Sequence, residues 1–97
     1  MSTRVLFDFD DVLDVLTARL ADARVVRARP SRTDSRLVLK LDASGHIVGI
    51  DLLGPTEMRP SFWRSHPDRA SFPRPLLSEV DQWLDTLWAR RADRGSE

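Results

Sequence analysis

The 97-residue chain has no cysteine, one lysine against fourteen arginines, and no uncharged apolar run longer than a few residues. Without cysteine there is no disulfide framework, no thiolate metal site and no thiol nucleophile. Without a long apolar run there is no membrane span, and no apolar signal-peptide core follows Met1, so a cytoplasmic protein is expected. The length excludes large catalytic scaffolds such as a (β/α)₈ barrel of roughly 250 residues. One domain over 1–97, burying about two-thirds of its unfolded surface, is expected instead. Forty-one per cent hydrophobic with 31% charged residues is the balance of a globular chain, not a disordered one.

Fifteen basic and fifteen acidic side chains cancel, but in signed blocks: −3 over residues 1–22, +5 over 23–41, −3 over 42–58, +3 over 59–75 and −2 over 76–97. Such blocks either pair with one another or meet a partner of complementary pattern. The arginine excess suits bidentate recognition of carboxylate or phosphate, but it equally follows from genomic base composition.

Val5 to Phe9 alternates as a short strand. Residues 10–22 fit two periods. Phe9, Val12, Leu13, Leu16 and Leu20 form a helical stripe, which local pattern favours, whereas Leu16, Ala18 and Leu20 share one face of a strand. Val25 to Arg29 is a β-leaning run stopped by Pro30, and 30–35 is a polar loop. Arg36 to Asp42 places Leu37, Leu39 and Leu41 inward. Asp42-Ala43-Ser44-Gly45 is turn chemistry, and His46 to Leu53 returns with Val48, Ile50 and Leu52 facing one way.

Residues 54–77 read as an irregular Arg/Pro/aromatic connection, because Pro60, Pro67, Pro73 and Pro75 are too dense for a regular element. Residues 78–91 read as an amphipathic helix with Ser78 as N-cap and Asp81 in the capping-box position. Its stripe is Val80, Trp83, Leu84, Leu87, Trp88 and Arg91, and a frayed tail over 92–97 follows. The expected fold class is α+β: an antiparallel sheet of four or five strands over 5–53 with one C-terminal helix packed on it.

The segment Phe9-Asp10-Asp11-Val12-Leu13-Asp14, the Arg19-Leu20 that ends the next run, the Asp42-Ala43-Ser44-Gly45 turn and the strand Ile47-Val48-Gly49-Ile50-Asp51 lie in the order of a known pattern. Over residues 5–54 it resembles the small prokaryotic family named domain of unknown function 2283. Phe9 stands where that family usually has tyrosine, and Asp51 where it has glutamate. The resemblance implies that 14–20 is a strand and that Asp11 or Asp14 is a strand-start or turn residue. It brings no established activity; such genes often neighbour putative toxin genes, which implies an antitoxin-like protein partner.

A second resemblance concerns chemistry. Arg4-Val5-Leu6-Phe7-Asp8-Phe9-Asp10 is similar to the first motif of haloacid-dehalogenase-type phosphotransferases. Carried over, Asp8 would be the nucleophile and Asp10 the general acid/base, with Mg²⁺ between them. Against it, Asp11 replaces the usual small residue, 24–53 leaves no room for the helix crossovers of a parallel sheet, and no downstream acidic pair exists for a metal.

Arg59, Arg64, Arg69 and Arg74 recur every five residues among Phe62, Trp63, His66 and Phe72. Arginine beside aromatics can grip phosphates and stack bases. Equally, the aromatics can pack on the sheet while the arginines face water or the aspartate-rich first block. A pI near 6.7 lacks the basic footprint of a nucleic-acid binder. His46, expected to be exposed, and His66 have no metal-ligand spacing, so no metal or cofactor is expected. The leading reading is a non-enzymatic module that binds a protein partner or a second copy of itself. Its candidate contacts are Arg59, Phe62, Trp63, Arg64, His66, Arg69, Trp83 and Trp88; the alternatives are the Asp8/Asp10 phosphotransferase and a weak nucleic-acid binder through 59–75.

Overall fold

A computed structural model describes residues 4–95. Five strands, β1 (Val5–Asp10), β2 (Val15–Leu20), β3 (Arg27–Pro30), β4 (Leu37–Leu41) and β5 (Ile47–Leu53), precede two α-helices, α1 (Pro60–Arg64) and α2 (Arg74–Gly95). A 3₁₀ turn over Pro67–Ser71 lies between the helices. The sheet order is β1-β2-β5-β4-β3, and every neighbouring pair is antiparallel. This is the expected α+β class.

Residues 10–22 resolve as a hairpin, not the helix that local pattern favours. Asp10 pairs with Val15 across a four-residue turn, and Leu16 and Ala18 are buried. Asp10 builds that turn, because its Oδ1 accepts the N–H groups of Val12 and Leu13, each at 3.0 Å. Asp14 then adopts φ 55°, and its backbone oxygen accepts the Gly54 N–H at 2.7 Å. The helical reading of this segment fails because pairing with β1 and β5 satisfies the backbone of β2 on both sides.

The β4–β5 hairpin forms around its expected turn, where Gly45 at φ 84° supplies the left-handed residue. Its faces differ from simple alternation in one place. Lys40 pairs with Gly49 while Leu41 pairs with Ile47, so Val48 is a bulged residue. Ile50 and Leu52 therefore belong to the main core with half-buried Ile47 packed against it, whereas Val48 is buried outside it.

The prolines of the connection do not exclude helix, contrary to the sequence reading. Pro60 and Pro67 each begin a helical turn and Pro75 lies in the first turn of α2, where an N–H has no partner to lose. Helix α2 consequently starts at Arg74, four residues before the expected Ser78, and Ser78 lies in its second turn. It runs through Gly95, so the tail expected to fray from Ala92 is helical there; the last two residues lie outside the described ones.

All helices cover one sheet face. Leu76, Val80, Leu84 and Trp88, four residues apart, press on Leu16, Ala18, Leu37, Leu39, Leu41, Ile50 and Leu52. The other face carries no helix among the described residues. There Lys40 and Asp51 form an ion pair of 2.9 Å, and Gly49 lies opposite Arg19 and Lys40. A Cβ on Gly49 would stand 2.9 Å from both the Ala18 carbonyl oxygen and Arg19 Cβ. Gly49→Ala is accordingly expected to cost about 1–3 kcal/mol in urea unfolding, because the obstructing atoms belong to a central strand that cannot give way locally.

Candidate functional site

The arginine-aromatic segment is where sequence placed most of the contact residues, and the structure turns much of it inward. Trp63 is 1% exposed; its Nε1–H donates to Asp81 Oδ1 at 2.6 Å, and its ring stacks on Phe72 with centroids 5.9 Å apart. Arg69 donates to both oxygens of Asp81, at 2.8 and 3.1 Å, with its guanidinium 5.3 Å above the Trp63 ring. Arg64 pairs with Asp85. The positive block thus meets aspartates of α2, not the aspartate-rich first block. Asp81, assigned to a capping box by local spacing, instead joins two elements. Arg59 is exposed and half-buried Phe62 lies 4.4 Å beneath the Arg36 guanidinium.

His66 is also buried, in a knot that sequence reasoning missed. Its Nδ1 accepts the Asp68 N–H at 3.2 Å, which leaves the ring proton on Nε2, 3.5 Å from Thr33 Oγ1. The Ser31 hydroxyl donates to Asp68 at 2.5 Å and lies 3.0 Å from Thr33 Oγ1. Serine, histidine and aspartate are together, but not as nucleophilic machinery. Ser31 faces the carboxylate rather than the imidazole, and Nε2 carries a proton where a base would need a lone pair. The cluster fastens the 31–36 loop to the 3₁₀ turn. The only available signal was the Ser31-x-Thr33 and His66-x-Asp68 pairing across thirty-odd residues, which no local pattern reveals.

Trp88 is buried too, donating Nε1–H to the Pro55 carbonyl at 3.3 Å. Trp83 is different. It is half-buried, packed 5.0 Å from Phe9 at a 58° tilt, and it stands at the rim of an open groove of about 450 Å³ between β1 and α2. Phe7, Phe9, Trp83 and Leu87 supply the apolar lining, with Gln82 and Thr86 between the charged ends Glu79 and Arg90. Half-exposed aromatics on two rigid elements make a surface with apolar area still to bury.

Asp8 and Asp10 lie on the helix-free face, exposed, in an antiparallel sheet. The parallel crossover architecture that the phosphotransferase resemblance requires is absent from the described residues, and Asp10 is engaged by its turn. No three His, Cys, Asp or Glu residues gather as metal ligands among the described residues, and no described helix is long and apolar enough to cross a membrane. His46 is exposed, as expected, beside Asp42.

The chain matches no protein-family model, no curated protein and no solved structure. The residues of the groove therefore carry the functional argument by themselves.

Proposed function

We propose that the chain is a non-enzymatic protein-binding module whose contact surface is the β1–α2 groove. The observation that carries this is the Phe9–Trp83 pair, two aromatics in mutual contact that remain half-exposed while the other two tryptophans are covered. Interface anchors are typically aromatic, centrally placed and set in apolar surroundings with a polar rim. Phe7, Phe9, Trp83 and Leu87 have that character, and Glu79 and Arg90 form the rim.

The 59–75 segment supports a contact role less well than its sequence suggests. Trp63 and Phe72 have no free faces for stacking, and Arg64 and Arg69 are held by carboxylates. Base stacking combined with phosphate binding therefore has little to build on there.

Capture from an extract of the source cells tests the proposal. Immobilised wild-type chain is expected to retain a specific protein, which mass spectrometry would identify. Leu87→Arg is expected to weaken its retention by about thirtyfold, the loss of one interface anchor. Arg59→Glu, on the exposed part of the arginine segment, is expected to change nothing. Equal retention by wild type and Leu87→Arg, or loss with Arg59→Glu alone, would contradict the groove assignment.

A further inference from the structure

The groove is bordered by a sheet edge, and the two edges of this sheet are unlike. At the β3 edge stand Arg27, Arg29 and Pro30, all exposed. Proline removes a donor and like charges repel an approaching strand, so this edge is guarded against pairing. The β1 edge has no proline and no basic residue between Val5 and Asp10. The Ala21 N–H donates to the Arg4 carbonyl at 2.8 Å, which sets the alternation along β1. Arg4, Leu6, Asp8 and Asp10 direct their backbone groups to β2, and Val5, Phe7 and Phe9 direct theirs outward. The same three residues have side chains packed against the core on the groove side.

We propose that the groove and this edge receive a second copy of the chain, related by a two-fold axis normal to the sheet and passing between the two Phe7 residues. This rests on the reading of the groove as a protein contact and names its occupant. With that axis, β1 pairs antiparallel with β1 of the other copy. Phe7 lies opposite Phe7, Val5 opposite Phe9, Leu6 opposite Asp8, and Arg4 opposite Asp10. All outward N–H and C=O groups of Val5, Phe7 and Phe9 find partners. Each copy's Arg4 meets the other's Asp10, giving an ion pair at either end of the joint.

Neighbouring registers are worse on charge or on length. Centring on Asp8 sets the two Asp8 side chains against each other, and centring on Phe9 sets Asp8 against Asp10. Like charges directly opposite are destabilising. Centring on Leu6 leaves Phe9 and Asp10 with no opposite among residues 4–10.

The axis that reverses β1 also carries α2 of the second copy to the same side of the joined sheet, so the groove of each copy opens toward that of the other. The result is a ten-stranded sheet with both α2 helices on one face and the Phe9–Trp83 pairs covered. Such self-complementarity is what an isologous contact requires.

Sedimentation equilibrium of the purified chain tests this. A mass about twice 11.1 kDa, reversible on dilution, is expected. Arg4→Glu is expected to weaken dimerisation about tenfold, because an acidic side chain then faces Asp10 at both ends of the joint. Because the chain has no cysteine, Phe7→Cys offers one unique thiol placed at the axis. Opposed strand residues about 5.5 Å apart are within disulfide reach. Oxidation is expected to yield a covalent dimer from Phe7→Cys and none from Ala28→Cys on the guarded edge. A chain that stays monomeric, an Arg4→Glu variant that dimerises as strongly as wild type, or cross-linking equal at both edges would overturn the two-fold. If the chain is monomeric while Leu87-dependent capture of another protein persists, the groove reading stands and the second copy falls. If both are absent, both fall.

Discussion

Trp63→Ala is expected to destabilise the fold by about 3–5 kcal/mol, a large share of the roughly 5–15 kcal/mol available to a small domain. Three terms act together. The substitution opens a cavity at a site only 1% exposed, removes the stack on Phe72, and leaves Asp81 without its indole donor. It also uncovers the Arg69 guanidinium, which lies over the indole. Trp63→Phe keeps most of the packing but loses the N–H, so a smaller cost of about 1–2 kcal/mol is expected. Urea unfolding followed by circular dichroism distinguishes the two. A loss below about 1 kcal/mol for the alanine variant would mean that 59–72 is not part of the cooperative fold.

Asp81→Asn carries the second large effect, about 2 kcal/mol at neutral pH, because it removes a partly buried bidentate arginine pair while leaving Arg69 in place. Burial alone would push the Asp81 carboxyl up. The hydrogen bonds from Arg69 and Trp63 outweigh that and hold it below the ordinary carboxylate range. A carboxyl depressed in the folded state contributes stability that is complete above its unfolded value and lost as pH falls through the folded one. Wild type is thus expected to lose stability as pH drops below about 4. Asp34 and Asp42, held low chiefly by hydrogen bonds from Arg36 and the His46 backbone, move the same way. The comparison with Asp81→Asn isolates one contribution: the gap between wild type and variant is expected to narrow from pH 7 to pH 3. A gap that widens at low pH would contradict the pairing.

What could be read from sequence was what neighbours along the chain decide. Leu37, Leu39 and Leu41 alternate against a turn with Asp42 and Gly45, and the hairpin they announce is present. Leu16 and Leu20 satisfy both the helical and the strand period; local pattern favours the helix, and what makes 15–20 a strand is β5, which supplies the second row of backbone partners. The density of prolines over 60–75 predicts breakage, yet three of the four lie at helix starts, where proline is favoured.

The contact residues followed the same division. Trp83 and Trp88 share one helical stripe, but only the topology sets Trp83 beside the open edge and Trp88 beneath Pro55. Phe7 and Phe9 gave no signal beyond a strand, because their significance comes from β1 being an edge. The arginine periodicity is a local pattern, whereas the pairing of Arg69 with Asp81 and of Arg64 with Asp85 crosses from one element to another.

Amide hydrogen exchange in β1, followed residue by residue as concentration is raised, tests the central claim most directly. In a single copy the outward N–H groups of Val5, Phe7 and Phe9 have no strand partner among the described residues, so their protection is expected from a strand of another copy. Protection that is slight in dilute solution and rises with concentration at those residues, while Ala28 on the opposite edge stays unprotected, is the expected result. Rapid exchange of Phe7 and Phe9 at every concentration would show that no second chain pairs there.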